Sequence, residues 1–105
     1  MNAPRRGEIW WAELAGVGRR PYLVLTRDAA IPVRRTVLVA PLTRTIRSIP
    51  SELALGPDDG VPQASVATFD NITVVPSAHL VERMTRLSTL RMDEACTAMR
   101  VATGC

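Results

Sequence analysis

The sequence predicts a mainly β fold, a small and strongly bent sheet or partly open barrel of five to seven short strands with one C-terminal α-helix laid against it. Three observations predict it. Short runs of branched and aromatic residues recur from residue 8 to residue 75, each bounded by Gly, Pro, Asp or Asn, as strands between turns are. The apolar spacing becomes helical only near the end of the chain. No alternation of strand and helix occurs, which disfavours a Rossmann-type nucleotide domain. With 105 residues and 47% apolar composition, residues 1 to 105 are sized for one domain with a modest core.

The elements follow in order. EIWWAEL (8–14) and PYLVLTR (21–27) flank AGVG, whose glycines supply a hairpin turn. TVLVAPL (36–42) is a third strand, and its unbroken apolar run from Val37 to Ala40 implies cover on both faces. Pro41 marks an end or bulge near its close. Residues 51–55 and 64–69 read as two more strands around the loop GPDDGVPQ. A sixth covers 72–75, and 79–87 reads as an extended continuation of it after Pro76. Ser88 is a helix N-cap, Met92, Ala95, Cys96, Met99 and Ala102 share one helical face, and Gly104 stops the helix.

All 13 basic residues are Arg, planar and permanently charged forks suited to phosphate. Residues 1 to 50 hold nine Arg against three acids, and residues 51 to 105 hold four against seven. A positive first half fits an anionic partner. No run approaches the roughly 20 apolar residues that a bilayer span needs, and the first eight residues lack a secretion-signal core, so a soluble, cytosolic protein is expected. Cys96 and Cys105 are nine residues apart, matching neither a redox pair nor a zinc spacing, and read as packing or incidental residues. No phosphate-binding glycine loop, zincin helix or nucleophile elbow occurs, and Asp58 and Asp59 are adjacent rather than convergent, so metal-independent chemistry without a cofactor is expected. The one histidine, His79, reads as a surface or edge-strand residue, with a general base as the alternative, since imidazole is the usual one. Trp10 and Trp11 point to opposite faces of a strand, one into the core, and the other either packs as well or stands near a basic surface where it could stack on a base; Met84, Met92 and Met99 read as fillers of core or dimer contacts.

The most informative stretch is GRRPYLVL (18–25), where two guanidinium groups precede a proline that fixes the chain direction. A second polar cluster, Thr43, Arg44, Thr45 and Arg47, stands where the next strand ends. If those two strands are antiparallel neighbours, the start of one lies beside the end of the other, which brings Arg20 close to Thr43. A hydroxyl beside a guanidinium at a sheet rim suits a phosphate.

Six short segments in this order resemble the MazF/PemK family of toxin–antitoxin ribonucleases: RGEIWWAEL (6–14), RRPYLVL (19–25), TVLVAPLT (36–43), PSEL (50–53), SVATFDNI (65–72) and a closing helix after RLS. The resemblance implies a small SH3-like barrel, a homodimer, an antitoxin partner that covers the Arg-rich groove with an acidic segment, and metal-free cleavage of single-stranded RNA. It implies Arg20 and Thr43 as the catalytic pair, with Asn71 where relatives often have Gln. Arg19, Arg44 and Arg47 would bind neighbouring phosphates. Many relatives carry a glutamate in a longer first loop, and AGVGR has none. Two other readings compete: a gyrase-poisoning CcdB-like toxin, which depends on a tryptophan-containing C-terminal tip where this chain has ATGC, and an SH3-like nucleic-acid-binding module without catalysis.

Overall fold

The computed structural model describes residues 3 to 105, and its strands begin where the alternation of apolar side chains begins. The strands are β1 (Glu8–Leu14), β2 (Gly18–Val24), β3 (Thr36–Thr43), β4 (Glu52–Leu55), β5 (Ser65–Thr68), β6 (Thr73–Pro76) and β7 (Leu80–Arg86), followed by α1 (Thr89–Thr103). They form one open antiparallel sheet in the order β4-β5-β3-β2-β1-β7, with β6 also paired to β3. An open, bent, mainly β sheet with one terminal helix is the architecture that the strand spacing predicts.

Two apolar clusters lie on opposite faces of this sheet. Ile9, Leu23, Ala40, Leu42 and Phe69 meet Ala95 and Ala98 of α1 on one face. Trp10, Tyr22, Val24, Val37 and Val39 form the other. Alternation along β1, β2 and β3 sends successive side chains into one cluster and then the other, so these strands are covered on both sides. Trp10 is buried whereas Trp11 is only half-buried, the division expected of adjacent residues in a strand.

Two strand boundaries differ from expectation in ways that bear on function. The second strand begins at Gly18 rather than Pro21, because Gly16 and Gly18, with φ of 80° and 87°, tighten the hairpin so that Leu14 already pairs with Gly18. Arg19 and Arg20 therefore belong to β2. Residues 79–87 do not continue β6. The chain turns through a 3-10 segment at Ser77–His79, and β7 crosses to the far edge to pair with β1. His79 is exposed on that turn.

Pro41 lies inside β3, and there the ladder changes partners. Tyr22↔Pro41 is the last pair with β2, and Leu42↔Ala67 opens the pairing with β5. A residue without N–H suits such a transfer point. Ser88 caps α1 by accepting the Arg91 N–H at 3.1 Å, and Gly104, at φ 74°, ends it, both as the sequence indicates. Met92, Met99 and Ala102 pack against the helix-side core, joined by Ala98 from the adjacent helical row. Among the described residues no helix is long and apolar enough to cross a membrane.

Candidate active site

A cleft of about 500 Å³ opens where β2 ends its pairing with β3. Arg20, Pro21, Leu42, Thr43 and Arg44 form one side of it. The β2–β3 register explains the grouping: Tyr22↔Pro41 continued by two residues sets Arg20 opposite Thr43, beyond the last paired residues. The sheet separates there, and the gap between the strands becomes the cleft. The juxtaposition inferred from antiparallel neighbours is thus present, although Arg20 sits in the strand, opposite Ala12, rather than ahead of it.

Among the described residues, the two guanidinium groups and the Thr43 hydroxyl proton in the cleft are free for a ligand. Arg20 and Arg44 are exposed and make no ion pair among the described residues. The Thr43 hydroxyl accepts the Thr45 N–H at 3.2 Å. That bond uses an oxygen lone pair and leaves the hydroxyl proton to be donated to an anion.

The other sequence-predicted positions stand apart. Arg19 reaches across to Glu13, at 3.4 Å, and to Glu82, and its guanidinium carbon lies 5.0 Å from the centre of the Trp11 ring. It therefore braces Trp11, which lines the cleft, while sharing its charge with two carboxylates. The Arg47 main-chain N–H donates to Glu52 Oε1 at 3.1 Å, and its Nη1 lies 3.9 Å from Oε2, which fastens the loop after β3 to the start of β4. Asn71 is exposed on the 3-10 turn Phe69–Asn71, outside the cleft lining.

The opposite wall was not read from the sequence as part of a site. It consists of Val61, Pro62 and Gln63 from the loop before β5, Ser65 at the start of β5, and Met84 from β7. The stretch GPDDGVPQ signals a loop but not where it lies. The loop is held firmly. Asp59 binds Arg91 of α1 at 2.9 Å and the Gly56 N–H at 3.1 Å, Thr85 donates its hydroxyl to the Asp59 carbonyl at 3.0 Å, and Arg91 also donates to the Ala54 carbonyl. Burial acts to lower the Arg91 pKa, but its hydrogen bonds to Glu94 and Asp59 and the charges of both outweigh that and raise it. Arg91 is consequently charged at every working pH, and its side of the clamp loses its charge only in strong alkali, above the ordinary arginine range.

A second carboxylate knot supports the strand that carries Trp11. Glu8, almost buried, accepts from the Arg5 N–H at 2.8 Å and Trp10 Nε1 at 3.0 Å, and pairs with Arg83 Nε at 2.9 Å. Cys96 is half-buried with Arg6 Nη2 at 3.4 Å, and Cys105 is exposed; neither touches the cleft.

A family profile described as the PemK-like, MazF-like toxin of type II toxin–antitoxin systems matches residues 5–103. This chain belongs to that family. It is 50% identical to the probable endoribonuclease MazF5 of Mycobacterium tuberculosis, over 97% of this chain and 94% of the relative. It is 47% identical to the probable endoribonuclease MazF2 of the same species, over 96% and 99%. Among solved structures, it is similar to a mycobacterial endoribonuclease in complex with its cognate antitoxin, with a TM-score of 0.87, 29% identity and coverage of 97% and 96%. A MazF structure from Deinococcus radiodurans, at 21% identity and a TM-score of 0.82, matches in fold alone.

Proposed function

We propose that this MazF-family toxin is a metal-independent endoribonuclease that cuts single-stranded RNA at the cleft between Arg20 and Thr43. As a member of that family it is a toxin-type endoribonuclease. The observation that carries the catalytic assignment is the meeting, in one cleft, of an unpaired guanidinium and a hydroxyl held by its own turn.

RNA carries its own nucleophile. The 2′ oxygen forms a bond to the adjacent phosphorus and the bond to O5′ breaks, giving a 2′,3′-cyclic phosphate and a 5′-hydroxyl end, with a net transfer of one proton from O2′ to O5′. The protein's task is alignment and stabilisation of charge on the phosphoryl oxygens. Arg20 serves as the charged donor to those oxygens; a guanidinium, protonated at ordinary pH, does not serve as the base. Thr43 donates its hydroxyl to a second phosphoryl oxygen. Arg44, unpaired on the same rim, holds a neighbouring phosphate. We assign Arg19, Arg47 and Asn71 to flanking nucleotides, in keeping with their places outside the lining.

The reading carries further proposals: one domain over residues 1–105, a homodimer, a cytoplasmic location beside its RNA, and a cognate antitoxin that covers the Arg-rich surface with an acidic segment. Nothing among the relatives favours a gyrase poison or a purely binding module.

Incubating the purified protein with labelled single-stranded RNA in excess chelator tests the reaction. Discrete cuts ending in cyclic phosphate are expected, and a 2′-deoxy residue at the cut position should abolish each one. Intact RNA, or equal cutting of the deoxy substrate, would reject it.

A further inference from the structure

We propose that the Trp11–Gln63 end of the cleft is a nucleobase subsite, in which the Gln63 side-chain amide reads the edge of one base next to the bond that is cut. The inference rests on the ribonuclease reading and adds to it a residue that determines specificity.

Three observations carry it. The first is the lining: Trp11, next to Pro21 in the sheet, faces Pro62 and Met84 across the cleft, with a single amide side chain, that of Gln63, among them. A nucleobase has flat apolar faces and a polar edge, and single-stranded RNA is read by stacking such faces and hydrogen-bonding such edges. Phosphate-binding groups at one end of the cleft and apolar groups with an amide at the other match the two ends of one nucleotide.

The second is that Gln63 is unspent. It is exposed, and its amide makes no hydrogen bond among the described residues. One amide offers a carbonyl acceptor and an NH₂ donor, the pair needed for two bonds to a single base edge.

The third is that its backbone is fixed where loops usually wander. Ser65 donates its hydroxyl to the Gln63 carbonyl at 2.9 Å, and the Val61 N–H donates to the Gly56 carbonyl at 3.1 Å. Gly60, at φ 82°, leans so closely on Thr85 that an added Cβ would stand 2.3 Å from its hydroxyl oxygen. Behind these the Asp59–Arg91 pair ties the loop to α1. Across the cleft, Arg19 holds Trp11 in place. Both walls are thus set before any ligand arrives, and a positioned reader loses little entropy on binding.

The test separates base reading from cleavage. A sequence-randomised pool of 2′-fluoro RNA oligonucleotides, which lack the attacking hydroxyl, is mixed with wild type, Gln63→Ala and Gln63→Glu, and the bound fraction is sequenced. Wild type should enrich one base at one position by roughly tenfold or more, the discrimination that a two-bond amide contact supplies. Gln63→Ala should flatten that position alone, with an unchanged melting temperature because the side chain is exposed. Gln63→Glu should shift the preference toward bases whose edge offers an amino group, since a carboxylate only accepts. The same enrichment by wild type and Gln63→Ala at every position would overturn the subsite, as would the absence of any enrichment by wild type. Binding is read here without cutting, so intact natural RNA in the chelator assay would defeat the ribonuclease reading by itself.

Discussion

Replacing Arg20 by Ala is expected to lower the cleavage rate on the order of 10²-fold or more, the usual cost of removing a positioned donor to developing negative charge. The circular dichroism spectrum should not change, because Arg20 is exposed and has no ion-pair partner among the described residues. Thr43→Val should also lose cutting, whereas Thr43→Ser should retain most of it, since only the hydroxyl is assigned a role; labelled-RNA gels distinguish the two. Residues of this kind were legible from the sequence because their environment is local. Pro21 fixes the chain beside Arg20, and a strand end exposes Thr43. Gln63 and Met84 were not legible as site residues, because nothing near them in the sequence says which wall they join.

At the scale of elements, the loop between β4 and β5 depends on α1. Arg91→Met leaves Asp59, mostly buried, without its cation and is expected to destabilise the fold by about 1.5–3 kcal/mol, the range for hydrogen bonds to charged groups, as read from the midpoint of urea unfolding. Gly60→Ala should cost about 2 kcal/mol or more, combining a left-handed backbone position with a clash against Thr85. Both changes should disturb base preference in the oligonucleotide selection more than the chemistry at Arg20. The first strand, the third strand and the capped helix were readable from periodicity and capping residues. The path of β7 was not. His79 to Leu87 are extended whether they lengthen β6 or cross to β1, and only the partner differs.

For the whole molecule, the two-sided packing of the central strands fixes β2 and β3, between whose diverging ends the cleft lies. Phe69, 2% exposed between the sheet and α1, illustrates the dependence. Phe69→Ala should cost about 3–5 kcal/mol, a large share of the roughly 5–15 kcal/mol that stabilises a typical domain, and it should appear as a lowered thermal midpoint. Binding of RNA by an Arg-rich surface should weaken steeply with salt. Arg44→Ala should reduce the slope of log affinity against log salt by about 0.7, the share of one phosphate contact on a single strand.

By itself the sequence determined the strand periodicities, the helix and its caps and the excess of Arg, because each follows from neighbours in the chain; the opposition of Arg20 to Thr43 it offered only on the condition that their strands pair antiparallel, which the structure supplied. Tertiary structure decided where β7 pairs, that Arg19 braces Trp11 instead of standing free, and that a loop some twenty residues beyond Thr43 in the sequence forms the facing wall. Those are contacts between segments distant along the chain, chosen by which burial of apolar surface is jointly attainable. No local pattern of residue types encodes that choice.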